Sequence, residues 1–152
     1  LPVVAAVEDF ADASFDFIYS LNVLEHIDDD RAAATTWVQK LKPGGRMLIY
    51  VPAFQLLFSS LDRLVEHRRR YRRRMLADVM RDAGLRVDRV RYADRAGFFA
   101  TPAFKAVGND TWTIDRRALV AFDRYVFPLG RIADRVLDRV LGKNVVLTGV
   151  RG

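Results

Sequence analysis

The sequence predicts an α/β fold built around a parallel β-sheet, and two observations carry that prediction. Two short, nearly continuous apolar runs, FDFIYSL at 15–21 and MLIYV at 47–51, are typical of strands buried on both faces of a sheet. Between them lies a segment with helical periodicity that ends at a Pro-Gly-Gly turn. A crossover connection of this kind joins parallel strands, so residues 15–51 are predicted to form a βαβ unit.

The composition is that of an ordinary globular domain. The chain has 152 residues, of which 51% are hydrophobic and 29% charged, and this length suits one domain. The absence of cysteine excludes disulfides and thiolate metal sites. His26 and His67 are the only histidines, so no metal site is predicted from histidines alone.

The sequence contains neither a recognisable membrane-spanning segment nor a signal peptide. No apolar run approaches the roughly 18–20 residues that a spanning helix needs. The first residues are apolar without a basic start, and they begin in mid-pattern, as if a longer chain had been cut. We therefore expect a cytoplasmic protein. An amphipathic stretch at 119–141 could contact the inner face of a membrane, cover the sheet or support a homodimer.

The first half of the chain supplies the elements of the βαβ unit. Residues 1–7 are expected to be the remnant of an earlier parallel strand. The acids at 28–30 provide N-cap chemistry for the predicted helix, and the Lys-Pro-Gly-Gly segment at 42–45 is predicted to end it as a tight turn. This helix is expected to bury one stripe of side chains: Ala33, Ala34, Trp37, Val38 and Leu41.

The second half is predicted to add one helix, one strand, a variable region and a last strand. Leu76, Val79, Met80 and Ala83 share a helical face that ends at Gly84. Residues 85–92 alternate partially and are predicted to form a strand. Residues 93–113 are expected to be a loop or lid, followed by helical stretches at 119–126 and 132–140 and a final strand at 145–150.

Two strings in the first half resemble a known family. FDFIYSLNVLEHIDDD followed by LKPGGRMLIYVPA resembles the second half of class I S-adenosylmethionine-dependent methyltransferases. VPAFQLLFSSLDRLVEHRRRYRRRML and the tail FDRYVFPLGRIADRVLDRVLGKNVVL resemble a bacterial branch of that family, the methyltransferase-11/23-like branch. Members of this branch often occur with glycosyltransferases that act on polyprenol-linked sugars.

The resemblance implies a Rossmann-like sheet and gives each strand its place. The predicted strands at 15–21, 47–51 and 85–92 correspond to the fourth, fifth and sixth strands of the family. The strand at 145–150 corresponds to the antiparallel last strand, inserted between the fifth and sixth. The chain is thus expected to be a single partial methyltransferase domain, with 93–141 as a lid or helical insertion before the last strand.

The same resemblance implies that part of the cofactor site lies upstream. The first strands of the family and its acidic Gly-x-Gly-x-Gly loop would precede Leu1, so the sheet is expected to be incomplete at its N-terminal side. Only glycine allows the close backbone approach that this loop makes to the cofactor. The chain alone is therefore expected to bind S-adenosylmethionine weakly or not at all, and its fourth strand would present an unpaired edge.

The resemblance also assigns residues to the cofactor side of the site. It implies that Leu21 and Asn22 face the methionine end of S-adenosylmethionine and that Glu25 follows in the same pocket. Alternatively, Asn22 only satisfies the turn between strand and helix. His26 could serve as a base, because an unperturbed imidazole has a pKa of about 6.5, or it could simply orient the loop.

The acceptor side is expected near the arginine run. His67 and Tyr71, taken as one helical face, are the further candidates for catalysis, and Arg70 is the candidate for binding a phosphate-bearing acceptor. Asp62 could contact the acceptor or cap the loop. Alternatively, the six arginines at 68–70 and 72–74 form a solvated helix entrance.

The leading functional hypothesis is a fragment of an S-adenosylmethionine-dependent methyltransferase. Its acceptor would be a small molecule, a glycan or a lipid-linked compound. One alternative is a catalytically inactive remnant or interaction module. A second alternative is a basic nucleic-acid-binding domain, which rests on the net charge of +6 and the arginine run and is the less favoured of the two.

Overall fold

A computed structural model describes residues 7–94 and 141–152 of the chain. Within this part no helix is long and apolar enough to cross a membrane. The strands are β1 (Phe15–Leu21), β2 (Leu41–Pro52), β3 (Leu85–Ala93) and β4 (Asn144–Arg151). The helices are α1 (Asp30–Lys40), α2 (Ser60–Leu64) and α3 (Arg73–Asp82), with single 3-10 turns at Val7–Asp9, Leu24–His26 and Gln55–Leu57.

The four strands form one sheet in the order β1-β2-β4-β3. β1 and β2 are parallel, with α1 as the crossover, so the predicted βαβ unit is confirmed. β4 is antiparallel to both of its neighbours and lies between β2 and β3. This is the arrangement that the resemblance predicts for the last four strands, and the α/β class is confirmed with it.

The Lys-Pro-Gly-Gly segment differs from its prediction as a turn that precedes the strand. β2 already begins at Leu41, which pairs with Phe15, and the next pair in register is Phe17 with Arg46. Residues 42–45 therefore form a bulge inside β2. Gly44 has a φ of 77°, and a Cβ on Gly45 would lie 2.8 Å from the carbonyl oxygen of Lys42, so the two glycines permit the bulge.

One face of the sheet carries the core. The carboxylate of Asp29 caps α1 by accepting a hydrogen bond of 2.9 Å from the amide of Ala32, and α3 begins at Arg73, three residues before the predicted helix face. Both helices pack on this face, and most of the predicted helical stripes are buried. The core includes Ala34, Trp37, Val38 and Leu41, then Met47, Ile49 and Val51, then Leu76, Val79, Met80, Leu85 and Leu147.

The opposite face of β1 is open to solvent in the described part of the chain. Phe17, Tyr19 and Leu21 alternate with the inward-facing Ile18 and Ser20, and the three are 52%, 66% and 50% exposed. Among the described residues β1 pairs with β2 alone. A row of exposed apolar side chains on an edge strand favours a covering partner or segment.

Several sequence predictions lie outside the described residues, and one differs from the structure. Those for residues 1–6 and for the lid and helices within 95–140 lie outside the described residues. Val7, predicted as the end of a strand remnant, instead begins the 3-10 turn Val7–Asp9.

Candidate active site

The predicted site residues lie beyond the carboxyl ends of the two parallel strands. The loop after β1 holds Asn22 and the turn Leu24–His26, while the segment after β2 runs from Ala53 through α2 to Tyr71. Ala53 and Tyr71 form an isolated bridge, which brings the end of this segment back to the sheet. In open α/β sheets ligands bind at this edge, so the two segments define the candidate site.

Asn22 turns the chain out of β1. Its backbone has a φ of 52°, and its amide donates a hydrogen bond of 2.8 Å to the carbonyl oxygen of Tyr50 at the end of β2. Asparagine tolerates this left-handed conformation better than most residues, which accounts for its presence at the turn. Its side chain is exposed, and Leu21 beside it is 50% exposed, so both are accessible at the mouth of the site.

Glu25 is the most unusual group at this edge. Its side chain is 0% exposed, and neither carboxylate oxygen has a hydrogen-bond partner. Burial therefore raises the pKa of Glu25 above its ordinary value, although its own backbone and the nearby His67 oppose the shift. A carboxylate in this setting favours a proton or a cation as its neighbour.

The two histidines of the chain meet beside Glu25. The ring centroids of His26 and His67 are 4.7 Å apart, in an edge-to-face arrangement of 74°. Nε2 of His67 lies 3.8 Å from Oε1 of Glu25, and Nδ1 of His67 lies 2.8 Å from Oδ1 of Asp62. Because a carboxylate only accepts, the proton of a neutral His67 ring is on Nδ1, and Nε2 presents a lone pair to the site.

Asp62 is the buried anchor of the segment after β2. Its carboxylate accepts hydrogen bonds from Nε and Nη2 of Arg70, at 2.8 and 3.1 Å, and from the amide and hydroxyl of Ser59, at 2.7 and 2.8 Å. Burial alone would raise the pKa of Asp62, but the bonds from Arg70, His67 and Ser59 outweigh it and hold the pKa well below its usual range.

The guanidinium of Arg70 is engaged in binding Asp62. Its side chain is buried, and Nη1 donates a further bond of 3.2 Å to the carbonyl oxygen of Ala53. The predicted acceptor contacts of Asp62 and Arg70 stay predictions. Their geometry indicates positioning residues, which shape the site through His67.

Backbone and side-chain bonds fasten the segment at 67–71 to the loop after β1. The amide of Arg68 donates to the carbonyl oxygen of Glu25 at 2.8 Å. The hydroxyl of Tyr71 donates to Asp30 at 2.8 Å, and Arg69 pairs with the same carboxylate at 3.0 Å. Burial, together with the bond to Asp30, raises the pKa of Tyr71, so this phenol stays protonated and acts as a donor.

The structure corrects one assumption about this segment. His67 and Tyr71 are not on one helical face, because residues 67–70 form a non-helical stretch between α2 and α3. The stretch brings His67 to His26 and Glu25, whereas Tyr71 is fully buried beneath them. The catalytic assignment of Tyr71 stays a prediction, and its contacts are those of a structural donor.

Sequence reasoning missed Ser59 and Asp30 as parts of the site. Ser59 precedes α2 and has Asp62 three residues later, which is the spacing of a capping box, and the amide of Ser59 does donate to Asp62. That spacing could have predicted the hydrogen bonds between Ser59 and Asp62. Nothing in the sequence pattern marks Asp30 as the partner of Tyr71.

Sequence comparison relates the chain to methyltransferases. The family model described as a methyltransferase domain matches residues 3–90. An O-methyltransferase, rstn1, from Aspergillus nomiae is 50% identical over 40 residues, which are 26% of this chain and 18% of that protein.

Solved structures share the fold. A SAM-dependent methyltransferase from Archaeoglobus fulgidus aligns with a TM-score of 0.56 at 15% identity, over 95% of this chain and 63% of that one. A geranyl diphosphate methyltransferase in complex with SAM aligns with a TM-score of 0.57 at 14% identity, over 95% and 54%. The chain therefore spans between 54% and 63% of the length of these two structures.

The buried ion pair between Asp62 and Arg70 predicts that replacing Arg70 lowers the stability of the domain. Arg70→Met should lower the free energy of unfolding by about 3–5 kcal/mol, because it leaves the carboxylate of Asp62 buried without its main partner. Denaturant unfolding measures the loss. Arg68→Met is the matched control: Arg68 and its partner Asp28 are 52% and 82% exposed, so the cost should be about 0–1 kcal/mol. Equal losses of unfolding free energy in the two variants would contradict the role of Arg70 as the main partner of Asp62.

Proposed function

The chain belongs to the methyltransferase domain family, and we propose that it forms the acceptor-facing part of an S-adenosylmethionine-dependent methyltransferase. The observation that carries the proposal is the meeting of His67, His26 and Glu25 beyond the carboxyl ends of β1 and β2. This edge is where a Rossmann-like sheet binds its ligands, and it also holds the exposed Asn22.

His67 has the geometry of a general base. Asp62 holds its Nδ1–H, so the lone pair of Nε2 points toward Glu25 and His26. A hydroxyl group bound beside Nε2 can transfer its proton there while its oxygen attacks a methyl group, and a positioned base of this kind contributes about 10²–10⁴-fold to a rate. S-adenosylmethionine, when bound, would supply that methyl group, and its sulfur would keep the electron pair of the S–CH3 bond that breaks. The role of this chain is to hold and deprotonate the acceptor.

The residues of this chain that could contact the cofactor suit its methionine end. Leu21 and Asn22 are accessible and lie at the switch from strand to loop. Residues 7–94 and 141–152 contain no glycine-rich loop at this edge that could hold the cofactor. Gly44 and Gly45 lie at the amino end of β2. Gly142 is packed against the backbone of Ala93, because a Cβ there would lie 2.5 Å from the carbonyl oxygen of Ala93. We therefore infer that cofactor binding needs further residues, and that the described part alone binds S-adenosylmethionine weakly.

The surface around the site favours an acceptor that carries an apolar portion. Leu56, Leu64 and Val65, from the segment after β2, are 88%, 74% and 42% exposed. Exposed apolar side chains in one short segment favour contact with a ligand, a partner or a membrane surface. We propose a hydroxyl acceptor of the glycan or lipid-linked class, in keeping with the bacterial branch that the sequence resembles.

The nucleic-acid alternative has less support than the charge suggests. Arg70 is bound to Asp62, Arg69 to Asp30 and Arg68 to Asp28. Half of the arginine run is therefore paired within the domain and does not form an open basic surface. The inactive-remnant alternative predicts neither cofactor binding nor methyl transfer.

The proposed base gives a direct prediction for activity. In the natural polypeptide that carries this chain, His67→Gln should lower the rate of methyl transfer from radiolabelled S-adenosylmethionine to lipid-linked glycans by about 10²–10⁴-fold. The affinity for the cofactor should stay the same. Glu66→Gln, an exposed neighbour, is the control and should keep the parent rate.

Two results would count against this function. Full activity of His67→Gln would exclude His67 as the base. Absence of both cofactor binding and methyl transfer in the natural polypeptide would favour the inactive remnant.

Asn22 gives a separate prediction for the cofactor. Asn22→Gly keeps the left-handed backbone without strain and removes only the side chain. If the amide of that side chain binds S-adenosylmethionine, the dissociation constant of the natural polypeptide should rise about 3- to 10-fold, as for one lost hydrogen bond, in calorimetry. Ala13→Gly, at a φ of 52° near the start of β1, is the control. An unchanged constant would mean that Asn22 serves the turn alone.

A further inference from the structure

Three potential metal ligands converge at the carboxyl edge of the sheet. One carboxylate oxygen of Glu25 and one ring nitrogen each of His26 and His67 all lie within 4.8 Å of one another. His26 and Glu25 come from the turn after β1, and His67 comes from the non-helical stretch that follows α2. The backbone bond from the amide of Arg68 to the carbonyl oxygen of Glu25 joins these two segments directly.

The burial of Glu25 is a second, independent sign of a ligand. Its side chain is 0% exposed, and both carboxylate oxygens lack a hydrogen-bond partner, although Oε1 points toward Nε2 of His67 at 3.8 Å. Buried charged groups in proteins are paired or coordinate metals, because an uncompensated charge in a low dielectric is costly. A cation between Glu25 and the two imidazoles would satisfy this carboxylate.

The surroundings of His67 match those of a metal-binding histidine. Such a histidine commonly donates its other ring N–H to a carboxylate, which fixes the tautomer and orients the ring. Here Nδ1 of His67 is 2.8 Å from Oδ1 of Asp62, and Asp62 is itself held by Arg70. Nε2 of His67 is thereby directed to Glu25 and His26.

We propose that Glu25, His26 and His67 bind one divalent first-row transition-metal ion of the Zn²⁺ class. Tetrahedral bonds of about 2.0–2.1 Å place neighbouring ligand atoms about 3.3–3.5 Å apart. Nε2 of His67 and Oε1 of Glu25, at 3.8 Å, are already close to that separation. Two ligand atoms at the limit of 4.8 Å would have to approach each other by about 1.5 Å or less when the ion binds. Two imidazoles and one carboxylate suit Zn²⁺, Co²⁺ or Fe²⁺, whereas Mg²⁺ prefers oxygen ligands.

Three protein ligands leave a coordination position open, as in catalytic rather than structural zinc sites. With an ion bound, Nε2 of His67 is a ligand and no longer accepts a proton, and the ion itself would make a bound hydroxyl more acidic. Loss of His67 would impair methyl transfer in either case. The test is therefore metal binding itself, which does not depend on the proposed methyltransferase activity.

The experiment titrates the chelator-treated protein with Co²⁺ and records its visible absorption. We expect binding of one ion per chain, with the intense bands of four- or five-coordinate Co²⁺, and displacement by Zn²⁺. Glu25→Gln should weaken binding by more than about 100-fold, since even loss of an outer hydrogen-bond partner costs 10–100-fold. Zn²⁺ at about 100 times its dissociation constant should raise the melting temperature of the parent by roughly 5–10 °C.

Glu66→Gln, the same chemical change at an exposed neighbour of His67, should bind as the parent does. Glu25→Gln removes a buried charge, so it should fold at least as stably as the metal-free parent. His26→Asn, at a partly exposed position, is a second ligand variant and should weaken binding similarly. Absence of stoichiometric binding, equal binding by Glu25→Gln, the weak spectrum of octahedral Co²⁺, or displacement by Mg²⁺ would overturn the proposal.

Discussion

The candidate site depends on the buried carboxylate of Asp62. This group accepts hydrogen bonds from Ser59, which directly precedes α2, and from His67 and Arg70, which lie in the non-helical stretch after it. A negative charge at this depth is tolerated because strong donors surround it. The same bonds fix the path of the stretch and the orientation of the His67 ring. Without Asp62, nothing else in the described residues would hold Nδ1 of His67.

Charge compensation is uneven across the site. Asp62 and Asp30 are buried with arginine and tyrosine partners, so their structural function is evident. Glu25 is equally buried but has no hydrogen-bond partner among the described residues. Positions where local rules fail are often functional. Among these three carboxylates, Glu25 is therefore the one whose burial the protein's own hydrogen bonds do not explain.

The sequence predicted the framework better than the site. Apolar runs located the strands, and the stripe that includes Trp37 and Val38 marked the buried face of α1. The inserted position of β4 came from the family resemblance, since periodicity alone gives no strand order. The conformation at 67–71 was not predictable, because six similar arginines give no local signal that Arg70 is the buried one. The approach of His67 to Glu25, with Nε2 at 3.8 Å from Oε1, is likewise a product of the tertiary fold.

Asp62 holds His67 with its proton on Nδ1 and its Nε2 lone pair facing Glu25 and His26. The most direct test is long-range ¹H–¹⁵N correlation NMR of the imidazole nitrogens in the metal-free protein, with His26→Asn used to assign the signals. We predict that neutral His67 is the Nδ1–H tautomer, and that adding Zn²⁺ shifts its Nε2 resonance. Observation of the Nε2–H tautomer, or of a rapidly averaging ring, would contradict it.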